Sequence, residues 1–183
     1  MRILGIDPGS TTIGFGLIEV SRSRQQLVDF GVIKAPSLVD NQERVVMVHA
    51  RLQELIKKHS PDRAALEKLF YFKNAKTVIQ VSELRGVLLL ALRQAGLPIF
   101  EYTPLQVKQA VSSYGRAEKA QVQTMVKLIL GLKQIPKPDD AADALAIAIC
   151  CANSEKLWVE QTLPIMQPYV LSEWEGWLRW QNT

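Results

Sequence analysis

The chain has 183 residues, of which 48% are hydrophobic and 22% charged, and its net charge is +4. This size and balance fit one folded domain and exclude a disordered chain. No stretch approaches the roughly 18 apolar residues of a membrane span, and Asp7 and Pro8 interrupt the first apolar run too early for a secretory signal. We therefore expect a cytoplasmic protein, in which the adjacent Cys150 and Cys151 are reduced core residues.

The secondary structure alternates after an opening group of strands. Short apolar runs predict five strands, over residues 2–7, 13–20, 26–34, 63–68 and 98–103. Helical spacing predicts five helices, over residues 44–59, 75–95, 104–112, 118–130 and from Asp139 or Asp140 to about Asn153. Asn41 and Asp139 are interpreted as helix N-caps, and Pro104 occupies the favoured first-turn position.

The element order is β-β-β-α-β-α-β-α-α-α. Three leading strands followed by alternating helices and strands predict an α/β protein with a five-stranded mixed sheet and helices on both faces. This order is compatible with an RNase H-like fold but does not single it out.

Positive charge is concentrated in the middle of the chain. Residues 63–137 contain twelve Lys or Arg and four Glu, a net charge of +8, so the remainder carries −4. A basic segment of this kind is typical of proteins that bind a polyanion, although a solvated lysine-rich face has the same composition. Charge alone leaves both interpretations open.

Four carboxylates stand where a fold rarely places charge. Asp7 ends one apolar strand, and Glu67 lies near the end of another. Asp140 and Asp143 are three residues apart at the start of an apolar helix, so they share one face. If the two strands are neighbours and the helix crosses their ends, the four carboxylates converge.

Each of these acids also has a purely structural interpretation. Asp7 precedes Pro-Gly and could begin a turn, and Glu67 could be a strand-end surface residue. Acids in the first turn of a helix are favoured by the helix dipole. If the carboxylates do converge, they repel one another unless a hard cation such as Mg²⁺ lies between them. Two such ions about 4 Å apart can activate a water molecule and stabilise the leaving 3′ oxygen of a phosphodiester.

Six sequence blocks follow one another along the chain: ILGIDPGSTTIGFG at 3–16, LEKLFYFKNAKT at 66–77, RGV at 85–87, EYTPLQVKQAV at 101–111, RAEKAQVQTMV at 116–126 and DDAADALAIAI at 139–149. Together these blocks resemble the RuvC family of Holliday junction resolvases. The blocks follow the family's order and spacing over residues 1–153. The resemblance implies an RNase H-like domain over residues 1–155. It also implies a metal-dependent endodeoxyribonuclease that resolves four-way junctions by paired symmetric nicks in recombination and repair, leaving 5′-phosphate and 3′-hydroxyl ends.

The resemblance also assigns the site residues. It implies metal ligands at Asp7, Glu67, Asp140 and Asp143, holding two Mg²⁺ ions with Mn²⁺ as an alternative, and it leaves Asp139 outside the set. Lys108 and Lys119 match positions associated with DNA and the scissile phosphate. A cation there would neutralise charge that develops on the phosphoryl oxygens. Ordinary surface lysine is the structural alternative for both.

Further DNA contacts are expected in the stretch after Glu67. Phe70 matches the family's aromatic residue near the junction crossover, where a ring can stack on an unpaired base. Tyr71 and Phe72 are alternatives for that role, and at least one of the three aromatic residues could be core. Backbone phosphates are expected to contact basic and polar side chains, namely Lys73, Asn74, Lys76 and Arg85.

The resemblance implies a homodimer and makes a branch-migration motor of the RuvA and RuvB type an expected partner. The helix over 75–95 is the first candidate for the dimer interface. Residues 156–183 form a separate C-terminal extension that holds all four tryptophans and only two basic residues. This extension is interpreted as packing on the domain, with docking to a partner protein as the alternative.

Three other functions compete with this interpretation. An actin-like ATPase or sugar kinase opens with a similar Asp-x-Gly turn, but it needs two domains and a second phosphate loop. A YqgF-type nuclease shares the fold, but the AEKAQV and AADALAIAI blocks favour RuvC. A non-catalytic junction-binding protein would have little reason to keep four buried acids, which are costly without a metal.

Overall fold

The computed structural model describes residues 1–22, 24–36, 38–69 and 75–158, with the backbone alone for residues 75–77 and 155–158. The strands are β1 (Arg2–Asp7), β2 (Thr12–Ser21), β3 (Arg24–Lys34), β4 (Arg63–Glu67) and β5 (Ile99–Tyr102). The helices are α1 (Asn41–His59), α2 (Ala75–Gln94), α3 (Pro104–Ser112), α4 (Lys119–Ile129) and α5 (Asp139–Trp158). The element order predicted from the sequence is therefore confirmed.

The five strands form one mixed sheet in the order β3-β2-β1-β4-β5. The first three strands pair antiparallel, because short connections join them as hairpins. β4 and β5 are parallel to β1, since a helix returns the chain to the same edge before each of them. This order puts β1 in the middle, with β4 as its parallel neighbour.

Alternating side chains build a core on each face of the sheet. Ile3 points to the face covered by α3, α4 and α5, whereas Leu4 points to the face covered by α1 and α2. Both residues are fully buried, as are Cys150 and Cys151, which are free thiols in α5. The predicted helices on both faces and the predicted core cysteines are confirmed.

Three glycines allow α5 to lie directly on the sheet. A Cβ atom on Gly5 would overlap the carbonyl oxygen of Ala144, and one on Gly14 would overlap that of Asp140. A Cβ atom on Gly16 would meet the backbone and side chain of Leu145. The missing side chains on β1 and β2 thus fix the height at which the first turns of α5 cross the sheet.

Two predicted helix caps are wrong. α1 begins at Asn41 itself, and the residue before it, Asp40, makes no side-chain cap. The Asn41 side chain instead accepts a hydrogen bond from Arg44 and donates one to Glu83. Similarly, α5 begins at Asp139, whose carboxylate is held by Lys137 Nζ at 2.6 Å rather than by the helix backbone.

The domain boundary proposed at residue 155 falls inside α5, whose described part continues to Trp158. The rest of the tryptophan-rich extension lies outside the described residues. No helix in the described part of the chain is long and apolar enough to cross a membrane.

Candidate active site

Two carboxylates meet at the ends of the central parallel strands. β1 and β4 are in register, with Ile6 opposite Leu66, so the next residues along the two strands are Asp7 and Glu67. Asp7 lies on the same face as Gly5, because side chains two apart share a face, and Gly5 contacts α5. Both carboxylates therefore project toward the N-terminal part of α5.

The third carboxylate comes from α5. Asp143 lies one turn into that helix and lines a cavity of about 260 Å³ together with Asp7 and Glu67. The other residues that line this cavity are Pro104, Val107, Lys108, Lys119, Val122, Ala146 and Ile147. The structure thus brings together three of the four predicted ligands and both predicted lysines. Asp140 lies outside the lining, near enough to raise the pKa of Asp7.

The three carboxylates are partly buried beside one another, and this environment raises their pKa values. Burial, followed by repulsion from Glu67, Asp143 and Asp140, raises the pKa of Asp7 to about 7. Burial and the charge of Asp143 raise the pKa of Glu67, which Lys108 partly offsets. Burial also raises the pKa of Asp143. The site therefore holds more negative charge than its surroundings compensate.

Lys119 places a positive charge beside the carboxylate of Asp143. It is the first residue of α4, which is preceded by a capping box in which Gln121 accepts from the backbone N–H of Glu118 at 3.0 Å. Its ammonium lies 2.8 Å from Asp143 Oδ2 and 3.8 Å from Asp139 Oδ2. The hydrogen bond to Asp143 raises the pKa of Lys119, so the side chain remains charged at neutral pH.

The donor set suits a hydrated cation. Among the residues that the structure describes, no three acidic, histidine or cysteine side chains converge tightly enough to coordinate one ion by themselves. A cation in this cavity would complete its shell with water or with phosphate oxygens. Mg²⁺ characteristically binds in this way, through one or two carboxylates. The excess negative charge at Asp7 and Glu67 fits such an ion.

The remaining predicted DNA contacts are placed differently. The Arg85 guanidinium forms an ion pair with Glu101, and only 15% of its side chain is exposed. Burial lowers the pKa of Arg85. A phosphate would therefore have to compete with Glu101, so the DNA contact of Arg85 stays a prediction. Phe70, Lys73 and the side chain of Lys76 lie outside the described residues.

Sequence reasoning overlooked the apolar wall of the cavity. Pro104, Val107 and Val122 face the carboxylates from α3 and α4. Thr103 fixes the start of α3, because its hydroxyl accepts from the Gln106 backbone N–H at 3.3 Å. The Thr-Pro pair in the sequence indicates where this amphipathic helix begins. It does not indicate which surface the helix faces.

The raised pKa of Asp7 predicts how the stability of the metal-free protein depends on pH. Between pH 3.8, the ordinary pKa of Asp, and about pH 7, folded Asp7 keeps a proton that the unfolded chain loses. This group therefore lowers stability as the pH rises through that window, by at most about 4 kcal/mol.

Asp7→Asn removes that charge, so we expect its melting temperature in EDTA at pH 8 to exceed that of the wild type by several degrees. The difference should shrink at pH 5, and at pH 8 on addition of Mg²⁺ to both proteins. An Asp7→Asn protein that melts below the wild type in EDTA at pH 8 would show that the ionised Asp7 carboxylate does not destabilise the folded protein.

Known proteins are similar to this chain in sequence. A family model described as crossover junction endodeoxyribonuclease RuvC matches residues 3–151. A protein of that name from Halothermothrix orenii is 54% identical over 157 residues, covering 86% of this chain and 95% of the relative. Another, from Chloroflexus aurantiacus, is 49% identical over 172 residues, covering 94% of this chain and 100% of the relative.

A solved structure gives the same result in three dimensions. The structure of Thermus thermophilus RuvC in complex with Holliday junction substrate matches with a TM-score of 0.83 at 37% identity, covering 86% of this chain and 96% of that one. The predicted RNase H-like fold is thereby confirmed. With the family model spanning most of the chain and relatives this similar, the protein belongs to the RuvC family of crossover junction endodeoxyribonucleases.

Proposed function

We propose that this protein resolves Holliday junctions in recombination and repair, as a metal-dependent endonuclease that makes paired symmetric nicks. The observation that carries this proposal is the convergence of Asp7, Glu67 and Asp143 in one cavity with Lys108 and Lys119. Membership of the RuvC family supports the choice of substrate, because the Thermus thermophilus relative was solved with a Holliday junction.

Metal dependence is a property of the family, and we propose that the ions here are two Mg²⁺, with Mn²⁺ as an alternative. Asp7, Glu67 and Asp143 would hold them, and Asp140, which lies outside the cavity lining, would be the fourth ligand. When bound, the ions would supply a more acidic water molecule and a Lewis acid for the phosphate oxygens. This proposal is supported by the raised pKa of Asp7, since a divalent cation would stabilise the ionised form of this buried carboxyl group and relieve its repulsion by the neighbouring acids.

The chain's own residues would position the phosphate and compensate its charge. The ammonium groups of Lys108 and Lys119 line the cavity beside the carboxylates, where they would neutralise the negative charge on the phosphoryl oxygens. A water oxygen would form the new bond to phosphorus while the bond to the 3′ oxygen breaks. The 3′ oxygen would take up a proton, so the products carry 5′-phosphate and 3′-hydroxyl ends.

The proposal is tested on a panel of substrates with purified protein. Labelled four-way junctions with a mobile core, linear duplex and an RNA–DNA hybrid are each incubated with Mg²⁺ or with EDTA. We expect nicks in the junction alone, and only with metal. Cleavage of the hybrid or the linear duplex would reassign the substrate, and tight junction binding without cleavage in Mg²⁺ or Mn²⁺ would indicate a non-catalytic protein.

Lys119 is expected to act on the reaction rate. Lys119→Ala removes the cation beside Asp143, so the single-turnover rate should fall roughly 100-fold while junction affinity changes by less than about threefold. Lys127→Ala, in the same helix but outside the cavity, is the matched control. An unchanged single-turnover rate for Lys119→Ala would remove Lys119 from the catalytic machinery.

We also propose that the working enzyme is a cytoplasmic homodimer that cooperates with a branch-migration motor of the RuvA and RuvB type. Support for the dimer comes from α2, where Ile79 and Leu90 are exposed three helical turns apart, with exposed Gly86 between them. We expect the Leu90→Arg protein to elute as a monomer in size-exclusion chromatography with light scattering. A dimer that survives both Ile79→Arg and Leu90→Arg would place the interface elsewhere.

A further inference from the structure

A second, open cleft lies beside the active-site cavity. It has a volume of about 340 Å³, at the lower end of the roughly 300–1,000 Å³ range of ligand pockets. The residues that line it are Leu105, Gln109, Ser113, Tyr114, Gly115 and Arg116. None of the proposed catalytic residues is among them, so the resolvase proposal leaves this cleft unexplained.

The two cavities share the helix between them. Pro104 and Lys108 lie on the face of α3 that lines the active site, whereas Leu105 and Gln109 lie on the next face, about 100° around the helix. The two cavities also share the segment that leads into α4. Arg116 lines the cleft, and Lys119, three residues later, lines the active site. A DNA strand that passes from the active site across α3 would thus enter the cleft.

The lining combines an apolar floor, an aromatic ring and a positive charge. Leu105 is 60% exposed and Tyr114 57% exposed, although both are large hydrophobic side chains. The backbone of Tyr114 is fixed, because its carbonyl accepts from the Ala117 N–H at 3.0 Å. Arg116 supplies the charge, and among the residues that the structure describes no acidic side chain lines the cleft. Aromatic rings that stack on bases, together with cations that bind phosphates, are the usual elements of a single-strand binding surface.

We propose that this cleft receives one unstacked nucleotide of the cleaved strand, next to the scissile phosphate. This inference rests on the proposed junction-cleaving function. The base stacks on Tyr114 and packs against Leu105, while its phosphate binds Arg116. Such a nucleotide anchors the strand across α3 and helps to place the scissile phosphate over Asp7 and Glu67.

Binding and stacking are tested on the full chain carrying Asp7→Asn, so that the junction stays uncut. We expect Tyr114→Ala to weaken junction binding about tenfold and Tyr114→Phe to change it less than about twofold, because stacking needs the ring but not the hydroxyl. A 2-aminopurine placed in the junction core beside the mapped cleavage position should be more strongly quenched in the complex with Tyr114 present than in the complex with Tyr114→Ala, because the unstacked base regains its fluorescence when no ring covers it. Arg116→Ala should weaken binding to all junction sequences and lower the salt slope by about one.

Leu105 has a matched control in Leu128, an equally exposed leucine (64%) on α4 that does not line the cleft. We expect Leu105→Ala to weaken binding severalfold and Leu128→Ala to leave it unchanged. Wild-type affinity and quenching in both Tyr114→Ala and Leu105→Ala would overturn the nucleotide site. Because wild-type protein would still nick the junction in that case, the proposed function would stand. Failure of the wild type to nick junctions would instead overturn the proposed function, whatever these affinities are.

Discussion

Asp7→Asn should lower the single-turnover cleavage rate of a four-way junction by roughly a thousandfold or more. The substitution removes the carboxylate whose pKa is raised to about 7, first by burial and then by repulsion from Glu67, Asp143 and Asp140. Loss of a site worth several kcal/mol of transition-state stabilisation corresponds to at least three powers of ten in rate. Junction affinity should change by less than about threefold, because binding comes mainly from contacts between basic side chains and phosphates.

The matched control is Asp139→Asn. Asp139 also lies at the start of α5, but its carboxylate is held by Lys137 at 2.6 Å, approaches Lys119 only to 3.8 Å and does not line the cavity. We expect its cleavage rate to stay within about threefold of the wild type. Equal losses of cleavage and binding in Asp7→Asn would mean that Asp7 holds the DNA rather than the reacting phosphate. A similar loss in Asp139→Asn would mean that general negative charge, not the cavity, is what matters.

Gly14→Ala should both destabilise the fold and disable the site. The new Cβ would overlap the carbonyl oxygen of Asp140, so the first turn of α5 must move away from β2. Overpacking of this kind costs about 1–3 kcal/mol or more, which is roughly 2–12 °C in melting temperature for a chain of this size. Asp143 would move with the helix, so the cleavage rate should fall even at a temperature where the variant is fully folded.

Gly86→Ala is the control for a glycine that the packing does not need. In the described part of the chain no atom lies within 4 Å of the position that its Cβ would take, and Gly86 lies inside α2. Because Gly86 lies on the face of α2 proposed for the dimer interface, this comparison is made in the Leu90→Arg background, where alanine at position 86 should raise stability by about 1 kcal/mol through helix propensity. If differential scanning calorimetry gave the same melting temperature for Gly14→Ala as for wild type, the close approach of α5 to β2 would not require glycine at position 14.

The strand-end carboxylates were predictable because they break a pattern. Asp7 and Glu67 each follow a run of buried apolar residues, so the sequence alone marks them as costly to bury. The sequence also predicted the order of all ten elements, because each is bounded by polar or turn-forming residues. What it left conditional was whether β1 and β4 are neighbours, which depends on the pairing of distant strands.

Tertiary contacts decided what local signals could not. Gly5 and Gly16 have unremarkable neighbours in sequence, and only the arrival of α5 explains why neither has a side chain. Arg85 was predicted to bind phosphate from its charge, but Glu101, sixteen residues away on β5, takes its guanidinium. Asn41 was predicted as a cap from its residue type, yet Arg44 and Glu83 compete for its side chain.

We expect the cavity that holds Asp7, Glu67 and Asp143, present once in each subunit of the proposed dimer, to cut two opposing strands of a four-way junction. The most direct measurement is a time course on a junction labelled in all four strands, with Mg²⁺, followed by treatment of the products with DNA ligase. We predict nicks at symmetric positions in one pair of opposing strands. Each resulting linear duplex should then be sealed by the ligase without further processing, because its ends are 5′-phosphate and 3′-hydroxyl. Unpaired nicks, or ends that the ligase cannot seal, would show that this protein does not resolve junctions by paired hydrolysis at the 3′ oxygen.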